Sequence, residues 1–298
     1  MNQNFNKKIL ISFFVLVGVA LIGFSILTSD ENTKPKPKPK PEPENIFSTE
    51  KKIIGQSVEG KDIKAYTYSH GDSEKMHLLF VGGIHGGYEW NSSLLAYKFI
   101  DYIEDNPNFI SEDMDVTIIP VANPDGLYDV VGKTGPFTLA DVPESGDTSE
   151  ARFNANGVDL NRNFACKWQP ESKWRGNIVS AGDSPFSEPE SKAIRDYILE
   201  INPDAAIFWH SKANAVYASE CKSGILSETF EIMNAYSDAS GYRAVETFDA
   251  YEITGDAEGW LASIGIPAIT VELETHETIE WQKNLKGIKA LFDYYKVR

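Results

Sequence analysis

Positive charge is what this chain has least of. It sets 28 Lys and Arg against 44 Asp and Glu, for a net charge of −16. Residues 1–44 hold six lysines and four acidic residues, which leaves the remainder of the chain near −18. A surface that acidic disfavours nucleic acid as a partner and attracts cationic groups. The sequence also lacks internal repeats, which excludes a repeat architecture, and nothing after residue 45 marks a second domain. Cysteine occurs only twice, as Cys166 and Cys221. No cysteine follows the one long apolar run, which argues against a lipoprotein anchor. No clear A-x-A-like site follows it either, which argues against a cleaved signal peptide.

That run is Ile9 to Leu27, nineteen uncharged residues preceded by Lys7 and Lys8. As a helix it reaches roughly 28 Å, close to the hydrocarbon thickness of a bilayer. Residues 1–8 are then expected on the cytoplasmic side and 9–27 as a membrane signal-anchor, with a signal peptide as the alternative. Residues 28–45 follow as a linker. Lys34 to Glu44 alternates proline with charge and reads as an extended polyproline-II spacer that holds residues 46–298 away from the membrane. The expected location is extracytoplasmic and membrane-anchored, or secreted if the segment is cleaved. Such a location permits a Cys166–Cys221 bridge; two buried free thiols are the alternative.

In residues 46–298 strands alternate with helices. His77-Leu78-Leu79-Phe80-Val81 reads as a buried strand and Trp90–Glu104 as an amphipathic helix. Further strands are expected at 115–121, 205–209 and 268–273, with helices at 188–201, 226–240, 255–264 and 278–297. Residues 46–76 read as short strand pieces, Asn123-Pro124-Asp125-Gly126 as a turn, and 132–156 as a long polar excursion. The fold class that follows is α/β, one domain with a mixed, mostly parallel sheet covered by helices on both faces.

Between the first buried strand and its helix lies Gly82-Gly83-Ile84-His85-Gly86-Gly87-Tyr88-Glu89. In open α/β sheets that edge is where sites are built. Imidazole plus carboxylate is half of a zinc site, although polar residues at such a junction also serve as ordinary caps. His210 ends another buried strand, so the two histidines can converge, and His2Glu with an open position is the catalytic zinc pattern. Glu272 interrupts the apolar stretch Ile269-Thr270-Val271-Glu272-Leu273. A carboxylate there is costly unless it has a task, and beside zinc it suits a general base; the alternative is an edge-strand glutamate facing water. Asn161-Arg162 can grip a carboxylate, since guanidinium meets it bidentately.

These stretches, with Gly157-Val158-Asp159-Leu160-Asn161-Arg162-Asn163, His210-Ser211 and Thr270-Val271-Glu272-Leu273 in order over roughly residues 50–298, resemble the zinc metallocarboxypeptidases of the carboxypeptidase A-like family. The resemblance implies one zinc on His85, Glu89 and His210, with Asp159 orienting His85. It implies Asn161, Arg162 and Ser211 in substrate binding, the first two as the clamp for a terminal carboxylate. It implies Arg152 polarising the scissile carbonyl, Glu272 activating the water, and Tyr251 closing over the substrate. Tyr251 and Trp260 keep the family's nine-residue separation. Glu258 falls where the family sets terminal side-chain preference; acid there, with Asp256 nearby, favours a cationic side chain such as Lys, Arg or diaminopimelate. A solvent-facing Glu258 is the alternative. The implied reaction is removal of the C-terminal residue from peptides or peptidoglycan stem peptides, by a monomer without a propeptide. One departure stands out. The family has His-x-x-Glu, and this chain has His-x-x-x-Glu, with Tyr88 at the usual ligand position; two glycines can absorb the extra residue. Two other readings remain: a zinc deacylase of the aspartoacylase-like group, and a silent domain that binds cell-wall peptides. His70, His77 and His276 have no assigned role, though His276 lies close enough to Glu272 to border the cleft.

Overall fold

The computed structural model describes residues 47–71 and 75–296. The signal-anchor and linker expected before residue 46 lie outside them. Among the described residues, no helix is long and apolar enough to cross a membrane.

The chain opens with two long strands, β1 (Phe47–Gln56) and β2 (Asp62–His70), paired antiparallel, where the sequence suggested only short pieces. β3 (Met76–Val81) runs into a single 3-10 turn at Gly86–Glu89 and then helix α1 (Trp90–Asp105). After β4 (Met114–Ile119) the Asn-Pro-Asp-Gly stretch does not make an isolated turn. It starts helix α2 (Pro124–Val131): Asn123 caps it by accepting from the Gly126 amide at 3.0 Å, and Pro124 occupies the first turn, where its missing N–H costs nothing. A hairpin, β5 (Glu171–Trp174) and β6 (Asn177–Ser180), precedes helix α3 (Pro189–Ile201). Then come β7 (Ala205–Ser211), β8 (Ala215–Ala218), the short pair β9 (Glu220–Cys221) and β10 (Gly224–Ile225), and helix α4 (Ser227–Ser240). β11 (Arg243–Val245), helix α5 (Ala257–Ser263), β12 (Ala268–Leu273) and helix α6 (Trp281–Lys296) complete the domain.

Eight strands form one sheet in the order β1-β2-β4-β3-β7-β12-β8-β11. The centre, β4-β3-β7-β12, is parallel, while β1, β2 and β8 join antiparallel to their inner neighbours. The sheet is therefore mixed, with its parallel part where the site is built. Side chains alternate across it. Leu78, Phe80, Ile207 and Trp209 pack with α1, α4 and α6; Leu79, Val81, Ala206 and Phe208 pack with α3 and α5. Burial on both faces explains why β3 and β7 read as unbroken apolar runs. Cys166 and Cys221 are bridged.

Candidate metal centre and the cavity beside it

His85 leaves the end of β3, and His210 sits near the end of its neighbour β7. Parallel pairing of these strands brings both imidazoles to one sheet edge, where their ring centroids are 4.8 Å apart. Glu89 arrives from the intervening 3-10 turn. The extra residue is absorbed there. Gly86 takes φ +49°, and a Cβ on Gly87 would meet Val130 Cγ2 at 2.3 Å and the Gly126 carbonyl oxygen at 2.6 Å. The turn therefore packs too tightly for any larger residue at position 87. Tyr88 turns aside, its ring 5.1 Å from Trp174 and 4.6 Å from His276. The reach to Glu89 is achieved through this tightened turn, not through the first turn of an α-helix.

The three residues are 2–4% exposed and form one cluster. His85 Nδ1 lies 2.8 Å from Glu89 Oε1, and His210 Nδ1 lies 3.3 Å from Glu89 Oε2. The two Nδ1 atoms are 3.2 Å apart. Atoms bound to zinc at about 2.0–2.1 Å in a tetrahedron sit about 3.3–3.4 Å from one another, so this triangle is close to the size zinc needs. Two imidazoles and a carboxylate are also the donor set zinc takes at catalytic sites. Burial would lower His210, but hydrogen bonds to Glu258 and Glu89 outweigh it and hold its pKa well above the imidazole range. Burial would raise Glu89, but His85 and His210 outweigh it and hold the carboxyl well below its ordinary range.

Asp159 lies behind His85. Its Oδ1 is 3.5 Å from His85 Nε2, and its Oδ2 accepts from Arg152 Nε at 2.9 Å. Burial opposes its ionisation, yet Arg152, Arg162 and His85 together keep Asp159 strongly acidic. Arg152 is itself buried; its Nη1 lies 3.6 Å from Glu89 Oε1, and its guanidinium lies 4.7 Å from the Trp174 ring centroid.

Beside the cluster opens a cavity of about 210 Å3. Asn161, Arg162, Tyr251, Glu258 and Glu272 line it together with His85 and His210. Asn161 Oδ1 accepts from the Ala257 amide at 2.8 Å, tying the clamp to the start of α5. Arg162 Nη1 donates to the Asn161 carbonyl at 2.6 Å, while its Nε is buried without a partner among the described residues. Tyr251 is half-buried, its ring 4.8 Å from that of Phe248.

Glu272 is not on an edge strand. β12 lies between β7 and β8, and the register sets Glu272 directly beside His210. Its Oε2 is buried without a partner among the described residues. Burial, then the charge of Glu89, push its pKa up to about 8, against the pull of His210 and Arg152.

Two expectations change, and one alternative falls. Ser211 does not line the cavity. Its hydroxyl donates to Asn91 Oδ1 at 2.9 Å and lies 2.7 Å from His276 Nδ1, while its amide donates to Glu89 Oε2 at 3.1 Å. It steadies a candidate ligand from behind the cavity. Glu258 does not face solvent; it is buried and 3.1 Å from His210 Nε2. His276 packs in the wall beside Tyr88 and does not line the cavity. His70 and His77 are remote, against the Ile110 carbonyl and the Thr117 hydroxyl. Sequence reasoning missed Asn91 and Trp174. Neither belongs to a motif, and only the packing of α1 and the β5–β6 hairpin brings them near.

The comparisons agree with this architecture. The gamma-D-glutamyl-L-diamino acid endopeptidase 1 of Lysinibacillus sphaericus is 25% identical over 244 residues, covering 74% of this chain and 59% of that protein. Murein peptide amidase A of Escherichia coli (strain K12) is 30% identical over 134 residues, covering 41% of this chain and 50% of that one. The chain spans about half the length of the curated relatives it matches. The crystal structure of thrombin activatable fibrinolysis inhibitor shares the fold with a TM-score of 0.65 at 22% identity, over 83% of this chain and 69% of that one. The zinc carboxypeptidase family model matches residues 45–290, and the chain belongs to that family of hydrolases.

Proposed function

We propose that this chain is a zinc-dependent metallocarboxypeptidase that removes the C-terminal residue from peptides, with peptidoglycan stem peptides within its range. The observation that carries the reading is one cavity in which Arg162 Nε and Glu272 Oε2, both buried and without a partner among the described residues, lie beside the His85–Glu89–His210 triangle. His85, Glu89 and His210 would hold the metal. When bound, zinc supplies Lewis acidity and lowers the pKa of water. Asn161 and Arg162 take the substrate's terminal carboxylate, a pairing that a planar guanidinium suits. With the chain end fixed there, the scissile bond lies toward His85 and Glu89. Arg152, anchored on Asp159 through Nε, orients and polarises the carbonyl. Glu272 takes the proton of the attacking water and returns it to the leaving amine. Tyr251 covers the bound end and excludes water.

Glu258 and Asp256 make the cavity acidic, which favours a cationic terminal side chain. A diamino acid carries one, and both curated relatives described above are named for diamino-acid or murein peptide bonds. The Cys166–Cys221 bridge supports an extracytoplasmic location, because such bonds persist in oxidising compartments.

The test uses wild type and Glu272→Gln, with zinc content and release of terminal residues measured together on peptides ending in Lys, diaminopimelate or Leu. The reading expects one zinc in both proteins, faster release of the cationic residues by wild type, and a loss of about 10²- to 10⁴-fold in the variant. Full activity in Glu272→Gln overturns it. Zinc bound without release of any residue favours the deacylase or the silent binding domain.

A further inference from the structure

The two oxygens of Glu258 have different neighbours. Oε1 accepts from Thr270 Oγ1 at 2.8 Å and lies 3.1 Å from His210 Nε2, the ring nitrogen on the far side from the candidate metal triangle. Oε2 is buried without a partner among the described residues, and the residue lines the cavity. The whole side chain is 2% exposed. Asp256 lines the same cavity but is used otherwise. It caps α5 by accepting from the Gly259 amide at 2.7 Å, and among the described residues it makes no hydrogen bond to His210.

We propose that Glu258 is a positioning residue for His210, holding the imidazole in the tautomer and orientation that turn Nδ1 toward the metal, while its second oxygen faces the substrate cavity. This rests on the zinc-peptidase reading above and deepens it. Nε2–H donates to Oε1, which fixes the proton on that nitrogen and leaves the Nδ1 lone pair for the metal. Thr270 holds the carboxylate in place, and Asp159 has the corresponding position behind His85, so each histidine of the triangle has an acid behind it. The two tasks of Glu258 share one charge. Substitution at 258 therefore alters metal affinity as well as the terminal residue accepted, whereas substitution of Asp256, which reaches His210 only through the charge of Glu258, alters chiefly the latter.

The experiment measures zinc affinity by chelator competition on the full chain, for wild type, Glu258→Gln, Thr270→Val and Asp256→Asn. The absorption spectrum of each cobalt-loaded protein is recorded alongside. Glu258→Gln is expected to weaken zinc by about 10- to 100-fold, the usual effect of losing such a partner, and to shift the cobalt bands. Thr270→Val, which leaves the acid in place but unsupported, shifts both in the same direction by a few-fold. Asp256→Asn weakens zinc and shifts the spectrum far less than Glu258→Gln does. Circular dichroism of the metal-free proteins checks folding, and Thr270→Val carries the test if Glu258→Gln does not fold. Wild-type affinity in both Glu258→Gln and Thr270→Val, or equal weakening in Asp256→Asn, overturns the proposal alone. Failure of wild type to bind zinc overturns the peptidase reading with it.

Discussion

A carboxylic acid between two buried residues of a central strand has a cost that can be measured. Glu272 lies between Val271 and Leu273, and its pKa stands near 8 instead of the ordinary 4.5. In the metal-free protein the native state therefore binds this proton more tightly than the unfolded chain does. From about pH 4.5 to 8 the native state holds a proton that the unfolded chain has lost, so stability falls as pH rises through that window. Glu272→Gln has no proton to lose. The expected result is a variant whose melting temperature gains on wild type as pH rises from 5 to 9, measured by calorimetry in chelator. A difference independent of pH would show that Glu272 is not a raised acid. A bound dication opposes this shift, since it favours the carboxylate.

At the scale of elements, the turn at Gly86–Glu89 decides whether a four-residue step between ligands works. Gly87→Ala would drive a methyl group into Val130 and the Gly126 carbonyl. It should cost about 1–3 kcal/mol and displace Glu89, lowering metal affinity in the same preparation. Gly132→Ala is the control. That glycine has φ +66°, unlike Gly87, but nothing lies within 4 Å of its Cβ, so it should cost about 1 kcal/mol from backbone strain alone and leave metal binding intact. Thermal unfolding and metal titration of both variants check this. The elements that could be read in advance were those whose burial is uniform. β3 and β7 are largely apolar on both faces, β12 is apolar apart from Thr270 and Glu272 on its cavity face, and α1 has a clear apolar stripe. β1 was underestimated because most of its residues are exposed and charged or polar, so no alternation marks it. β8, β11 and the β5–β6 hairpin are short, and their strand character comes from the neighbours they pair with. Asn123 looked like a turn former because the chemistry that makes a turn also makes a helix cap.

For the whole molecule, the bridge between Cys166 and Cys221 closes a long loop. With a sequence separation of 55, the chain-entropy relation puts its contribution at about 4 kcal/mol. The double variant Cys166→Ser/Cys221→Ser should lose about 2–4 kcal/mol in denaturant unfolding. It should keep its metal, because the candidate ligands ride on β3, the turn and β7. KM should rise, because Lys167 and Glu220, next to the two cysteines, line the cavity, and the Cys166 carbonyl accepts from Gly255 at 2.7 Å. Unchanged KM with lost metal would contradict this division. The same division governs what could be read from sequence. His85, His210 and Glu272 end or interrupt buried strands, where a polar residue is conspicuous. The second partner of Glu258 was hidden, because it depends on how α5 packs against β7 and β12, which no spacing in the sequence records.

β3, β7 and β12 are adjacent; His210 and Glu272 stand side by side on β7 and β12, and His85 follows shortly after the end of β3 at the centre of the sheet. Of the groups that read the substrate, Asn161, Arg162, Tyr251 and Asp256 stand on segments 161–167 and 248–256, which belong to no large sheet. Segments of the second kind open at lower free-energy cost than central strands. On warming, then, discrimination between substrates is expected to fade before cleavage does: approaching its melting point, this molecule becomes a promiscuous hydrolase first and a dead one later.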